Sequence, residues 1–143
     1  MEFSSDGSKL YLSHYSWTNS YIYQFDLQAS NILQTATLIN TSDNLGGALQ
    51  IASNGKIYFS RHESNYLGVI NNPNLAGTAC NYVEDGAFLG GQTATFGFPT
   101  FVQSFFFTPF FTYENTCFGE NTQFNISNIE NITNVIWNFG DPN

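Results

Sequence analysis

One short pattern occurs twice in this chain and limits what it can fold into. Phe3-Ser4-Ser5-Asp6-Gly7-Ser8-Lys9-Leu10-Tyr11-Leu12-Ser13 is echoed by Leu49-Gln50-Ile51-Ala52-Ser53-Asn54-Gly55-Lys56-Ile57-Tyr58-Phe59-Ser60. Each copy reads as a short strand, an Asp-Gly or Asn-Gly turn and a second strand. Those dipeptides supply the positive φ angles that two-residue hairpins need. After the turn the residues alternate, with Leu10 and Leu12 on one face and Tyr11 opposite, and Ile57 and Phe59 on one face and Tyr58 opposite.

A third strand follows in each copy. Tyr21 to Leu27 places Tyr21, Tyr23, Phe25 and Leu27 on one face, and Tyr66 to Ile70 is stopped by Asn71-Asn72-Pro73. A fourth is expected over Ile32 to Ile39 in the first copy and near Ala79 to Val83 in the second. The period is about 47 residues, the step from Lys9 to Lys56, close to the ~40–50 residues of a four-stranded propeller blade. Gly86 to Gly97 reads as a small-residue loop. Phe98 to Phe107 reads as an aromatic strand that opens another blade or closes the ring, and Thr108 to Asn115 as a boundary.

Beyond that boundary the texture changes. Thr122 to Ile126 alternates, and Val135, Trp137 and Phe139 fall on one face at period two before Gly140-Asp141-Pro142 breaks the run. This is the pattern of a sandwich strand with a core tryptophan. About 30 residues of such a domain are present where sandwiches use roughly 100, so the sequence is expected to end inside a domain. The expected architecture is all-β: about two four-stranded blades of a partial β-propeller over residues 1–108, then a truncated immunoglobulin-like β-sandwich over residues 109–143.

Composition narrows the function classes. Aromatic residues make up 17% of the chain and charged residues only 10%, the reverse of a disordered segment. Phe, Tyr, Thr, Ile and Asn suit pleated strands separated by turns. The net charge is −8, with three basic residues, Lys9, Lys56 and Arg61. Three cations cannot neutralise a run of phosphates, which argues against nucleic acid as a partner and against docking on anionic lipid. The scattered acidic residues read as a solubilising surface. No apolar run reaches the length of a membrane span, and the longest, near Phe105 to Phe111, is broken by Thr108 and Pro109. Cys80 and Cys117 fit either one disulfide or two buried thiols. Low Lys content and Asn/Thr-rich loops lean towards export, where a disulfide is allowed. The start, Met1-Glu2-Phe3-Ser4-Ser5, lacks the basic and apolar regions of a signal peptide, so an exported protein would carry its signal upstream.

Trp137-Asn138-Phe139-Gly140-Asp141 resembles the WxFGD signature of the PKD (polycystic kidney disease) family, an immunoglobulin-like β-sandwich. Cys117, two residues before Gly119, and the Thr122 to Ile126 strand match the usual approach to that motif. The preceding part resembles the propeller-like repeat region found before PKD domains in large exported proteins of Bacteroidetes. Many of those are associated with gliding motility and type IX secretion. The matching stretches are Phe3 to Leu12, Gly47 to Tyr58, Tyr66 to Pro73, Gly77 to Tyr82 and Phe98 to Phe106. The resemblance implies a secreted or cell-surface module used in adhesion or polysaccharide handling, and it carries over no catalytic residue.

The residues argue for recognition over catalysis. His14 and His62 stand one repeat apart, with no HExxH or second pair to complete a zinc site. Asp85 and Asp141 lack the spacing of a calcium loop. No GxSxG elbow is present, and neither cysteine has a base near it in sequence. Glycoside hydrolysis needs two carboxylates facing one cleft, and the adjacent Glu84 and Asp85 would point to opposite faces of an extended strand. Leu45-Gly46-Gly47-Ala48 and Leu89-Gly90-Gly91-Gln92 lack the Lys-Ser/Thr of a phosphate loop and read as turns. Tyr15 and Trp17 remain as candidate ligand contacts, since an exposed aromatic face suits stacking on a sugar ring; the bland alternative is that core packing consumes most of the Phe and Tyr. No cofactor and no metal are expected. The partner would be a glycan or a protein at the cell surface, together with the rest of the protein's own propeller and PKD domain. The alternatives are an accessory piece of a carbohydrate-active enzyme and a purely structural spacer. With open sheet edges and part of a sandwich, the 143 residues are expected to fold poorly alone.

Overall fold

A computed structural model describes residues 1–100, 110–115, 117, 119, 121–127 and 134–138. Over the described residues the chain is all-β, built from antiparallel sheets of which none closes on itself. It divides into two compact units, Met1–Phe106 and Phe107–Asn143.

The first unit holds two four-stranded meanders. Sheet A orders β1 (Glu2–Phe3), β2 (Lys9–Tyr15), β3 (Ser20–Asp26) and β4 (Thr37–Ser42), and sheet B orders β5 (Gly46–Ile51), β6 (Ile57–Arg61), β7 (Tyr66–Ile70) and β8 (Tyr82–Phe88). Each echoed pattern therefore forms the first two strands of its own sheet. The fourth strands differ from expectation. Ile32–Thr35 and Gly77–Cys80 form single 3₁₀ turns, so the strands begin only at Thr37 and Tyr82. The second continues to Phe88, into the segment expected to be a loop. The Thr35 hydroxyl donates to the Ile32 carbonyl at 2.6 Å and accepts the Asp26 N–H at 2.8 Å, giving the backbone a local alternative to the ladder.

The two turns are also longer than the expected two residues. Gly7 N–H donates to the Ser4 carbonyl and Gly55 N–H to the Ala52 carbonyl, and only the glycines are left-handed, at φ 68° and 74°. Asp6 and Asn54 keep negative φ; instead Asp6 Oδ1 accepts the Ser8 N–H and Asn54 Oδ1 the Lys56 N–H. This is a type I turn followed by a glycine, which tolerates the left-handed region without a Cβ penalty. The Asp and Asn thus act through their side chains.

The sheets stack face to face, and the register shows which faces meet. Tyr11 pairs with Glu2 and Gln24, Ser13 with Ile22, and Ser20 with Ser42. This side of sheet A reaches across to sheet B: Ser13 Oγ donates to the Gly47 carbonyl at 2.7 Å, Ser20 Oγ to the Asn44 carbonyl at 2.7 Å, and Ile51 N–H donates to Glu2 Oε2 at 3.0 Å. Sheet B answers with Ile51, Ile57, Phe59 and Ile70, all buried. Each such side chain contributes about 1.5–3 kcal/mol on leaving water. Leu10 and Leu12 lie on the other side of sheet A with Phe3, Tyr23, Phe25 and Leu38, half-buried or exposed, so Tyr11, not the leucines, supplies the core.

The stacking relation repeats. Ser60 Oγ donates to the Phe96 carbonyl at 3.0 Å, as Ser13 does to Gly47, and Gln50 Nε2 donates to the Pro99 carbonyl at 2.8 Å, at the position where Glu2 holds the Ile51 amide. Residues 96–100 stand against the far side of sheet B as β5 stands against sheet A. They carry no strand ladder, and the rest of the expected Phe98 to Phe107 strand lies outside the described residues. Gly46 and Gly47 belong to β5 and not to a turn as expected. A Cβ on Gly47 would lie 1.9 Å from the Phe96 carbonyl oxygen, and one on Gly46 would enter the Phe59 ring, so both permit close approach.

In the second unit, β9 (Phe110–Glu114) pairs with β10 (Gln123–Ser127), with Phe124 opposite Tyr113 and Ile126 opposite Phe111. The expected boundary over Thr108 to Asn115 thus contains a strand. Trp137 packs on this hairpin, 5.2 Å from the Phe124 ring and edge-on to Phe111 at 5.7 Å, an arrangement suited to aromatic quadrupoles. The expected strand at Val135 does not form over Val135–Asn138, and Trp137 remains 41% exposed. One hairpin offers a surface for the ring but, among the described residues, no opposing sheet to enclose it. Phe139, Gly140 and Asp141 lie outside the described residues.

Candidate recognition site

The first strands and their neighbours leave a shallow open cleft of about 360 Å³, lined by Met1, Ser13, Tyr15, Gly46, Gly47 and Phe96. Its floor follows from the close approach just described: with no side chain on Gly47, the backbones of β5 and residues 96–100 touch, and Ala48 N–H donates to the Phe96 carbonyl at 2.7 Å. The wall is aromatic. Tyr15 ends β2 and is 61% exposed. The Phe96 ring stacks on His62 at 4.2 Å between centroids.

Trp17 lies two residues beyond Tyr15 and outside the cleft lining. It rides the β2–β3 turn and is 99% exposed. The turn itself is well tied: Ser16 N–H donates to the Asn19 carbonyl at 2.7 Å, Asn19 N–H returns to Ser16 Oγ at 3.2 Å, and Asn19 Nδ2 reaches Asp43 Oδ1 at 3.1 Å. The structure therefore brings Tyr15 to the cleft and displays Trp17 beside it on a braced support. A large apolar ring wholly in water contributes nothing to the core and is free to stack on a ligand.

The acidic pair overturns one expectation. Glu84 and Asp85 do not diverge. Leu67 pairs with Ala87 and Val69 with Val83, so β8 carries two extra residues between these pairs. That bulge turns both carboxylates towards Arg61. Glu84 Oε1 lies 3.1 Å from one guanidinium nitrogen and Asp85 Oδ1 contacts the other, while the Ser42 hydroxyl from sheet A donates to Glu84. The carboxylates converge on a buried cation and join β4 to β8. They do not face a cleft across an open gap as paired acids for hydrolysis must.

Sequence reasoning missed a buried polar node. Tyr11 Oη accepts Gln24 Nε2 at 2.6 Å and donates to the Pro73 carbonyl at 2.8 Å, while the Gln24 amide also donates to the Leu75 carbonyl and accepts the Gly77 N–H. Burial pushes the Tyr11 hydroxyl well above its ordinary pKa. Burial likewise raises the thiol of Cys80, which is fully enclosed beside Tyr11. Both cysteines are free thiols, Cys80 buried and Cys117 exposed. Gln24 gave no sequence signal beyond its place between Tyr23 and Phe25.

His14 stacks loosely on Tyr21 at the open side of sheet A, and His62 on Phe96. Among the described residues, no three His, Cys, Asp or Glu side chains gather as metal ligands, and no helix is long and apolar enough to cross a membrane. Compared with family models, with curated proteins and with solved structures, the chain matches none of them.

Proposed function

We propose that this chain is a non-enzymatic recognition module of a secreted or cell-surface protein, presenting aromatic side chains to a glycan or protein. The observation that carries the reading is Trp17: a tryptophan 99% exposed, on a turn held by side-chain hydrogen bonds, next to the Tyr15 wall of an open cleft. Two stacked meanders with a third first-strand position favour a propeller-like array as the support. The aromatic hairpin of Phe111, Phe124 and Trp137 favours the start of a PKD-like sandwich. With that resemblance comes the expectation of adhesion, in the setting of gliding motility and type IX secretion. Locking Glu84 and Asp85 onto Arg61 weighs against the carbohydrate-active-enzyme alternative.

The test is a glycan array with a parallel turnover assay on the protein and on Trp17→Ala and Tyr15→Ala. Binding that falls at least tenfold in either variant, without turnover, supports the reading. Hydrolysis lost on replacing one carboxylate contradicts it, and binding to nothing favours a spacer.

A further inference from the structure

Tyr15 and Trp17 stand at the end of the two meanders where β2, β4 and β6 finish and β3 and β5 begin: Tyr15 pairs with Ser20, Ser20 with Ser42, and Gly46 with Arg61. The whole chain has three cationic side chains, Lys9, Lys56 and Arg61. Lys9 begins β2 and Lys56 precedes β6, at the far ends of those strands. Both are also engaged: Lys9 Nζ lies 3.2 Å from Asp26 Oδ1, and Lys56 Nζ donates to Asn71 Oδ1 at 2.8 Å. Arg61 stands at the same end as Tyr15, but it is 7% exposed and clasped by Glu84 and Asp85. Its charge is answered inside the fold.

Two carboxylates at this end face water instead. Asp43 follows β4, is exposed, and accepts Asn19 Nδ2 of the Trp17 turn at 3.1 Å. Glu63 follows β6 with its side chain 84% exposed, beside the His62 ring that stacks on Phe96 in the cleft wall. Among the described residues, neither pairs with a Lys or Arg. We infer that the ligand of Tyr15 and Trp17 is a glycan without acidic groups, an inference that rests on the recognition reading above. Stacking on an aromatic ring needs the apolar C–H face of a sugar and no charge. A uronate, sialate or sulfate brought to these rings would meet Asp43 and Glu63 and find no side-chain cation to pair with. Repulsion between exposed charges reaches about one Debye length, ~10 Å at 0.1 M salt and ~3 Å at 1 M, so the discrimination depends on salt.

A glycan array of matched pairs tests this on the whole chain, each neutral oligosaccharide beside the same oligosaccharide oxidised to the uronate or sulfated. It is read at pH 8 to keep imidazole charge out of the comparison. Neutral members should bind and lose at least about tenfold in Trp17→Ala. Their acidic counterparts should bind about tenfold more weakly in about 20 mM salt and come within about threefold in about 1 M. The double variant Asp43→Asn, Glu63→Gln should narrow the low-salt gap to about threefold as well; its amide at position 43 keeps an acceptor for Asn19. An N-terminally acetylated sample, in which Met1 brings no positive charge to the cleft lining, should discriminate at least as strongly. An acidic member bound as tightly as its neutral twin, and lost in Trp17→Ala, overturns the inference and leaves the recognition reading standing. A gap indifferent to salt and to the double variant also overturns it. Binding to no glycan overturns both the inference and the glycan reading.

Discussion

The hydroxyl of Tyr11 donates to the backbone carbonyl of Pro73 at 2.8 Å, joining the second strand of one sheet to the segment after the third strand of the next. Gln24 completes the node from the neighbouring strand. A buried hydroxyl with both its donor and acceptor roles filled fixes how the two sheets lie, and removing it strands its partners. Tyr11→Phe should destabilise the protein by about 1–3 kcal/mol, the cost of leaving buried polar groups unpaired. Gln24→Leu should cost about as much, and the double variant less than their sum, since both remove one network. Urea denaturation measures all three.

The same residue gives the stability an alkaline limit. Burial raises the folded-state pKa of Tyr11 above the ordinary 10.0, and that of Tyr82 in the same direction. Above pH 10 the unfolded chain releases protons that the folded chain retains, so stability is full below pH 10 and declines as pH rises beyond it. The urea midpoint should fall between about pH 9 and pH 11.5, and less steeply in Tyr11→Phe. A midpoint unchanged over that range would count against the buried hydroxyls.

Gly47→Ala should disrupt the packing of β5 on residues 96–100. The added methyl meets a backbone oxygen, which cannot rotate away as a side chain can. A loss of about 1–3 kcal/mol or more is expected. Gly55→Ala meets no neighbouring atom and pays only for its positive φ, about 1 kcal/mol. Thermal melts of the pair should rank them in that order.

Arg61→Ala removes the cation that gathers Glu84 and Asp85. Both carboxylates are partly exposed, at 42% and 65%, so they rehydrate and the loss stays below that of a fully buried pair, at about 1–3 kcal/mol. The Ser42 hydroxyl loses its ordered acceptor at the same time. Faster amide exchange at β4 and β8, with β2 unaffected, would locate the effect.

Trp17→Ala should leave the melting temperature unchanged, because its ring lies wholly in water and surface substitutions of this kind fall within about 0.5 kcal/mol. A marked destabilisation would show that the ring packs somewhere, and would remove the basis for giving it to a ligand.

Much of the fold was legible because it rests on local signals. Asp6-Gly7 and Asn54-Gly55 marked both hairpins, alternation marked β2, β3 and β6, and the Asn71-Asn72-Pro73 stop marked the end of β7. Errors arose where a longer-range contact decides. Alternation alone cannot say which face of β2 is the core, and the answer, Tyr11, depends on a carbonyl 62 residues away. Glycines at 46 and 47 read as a turn because their reason is a neighbour met only in three dimensions. A bulge in β8 reversed the geometry of Glu84 and Asp85, and no residue in Val83-Glu84-Asp85-Gly86 announces it except the glycine. Of the candidate site, Tyr15 and Trp17 were visible as aromatics in a loop, but the cleft beside them is made of backbone.

The account depends on successive first strands being tied to the face of the sheet before them. Amide exchange at Ile51 and Ala48 tests this most directly, since Ile51 N–H donates to Glu2 across the sheets and Ala48 N–H to Phe96 and Ser60. Both should exchange far more slowly than the amides of the exposed Gly90–Gly91 turn, and Glu2→Ala should speed Ile51 selectively. Exchange at Ile51 and Ala48 as fast as in that turn would contradict the stacked arrangement.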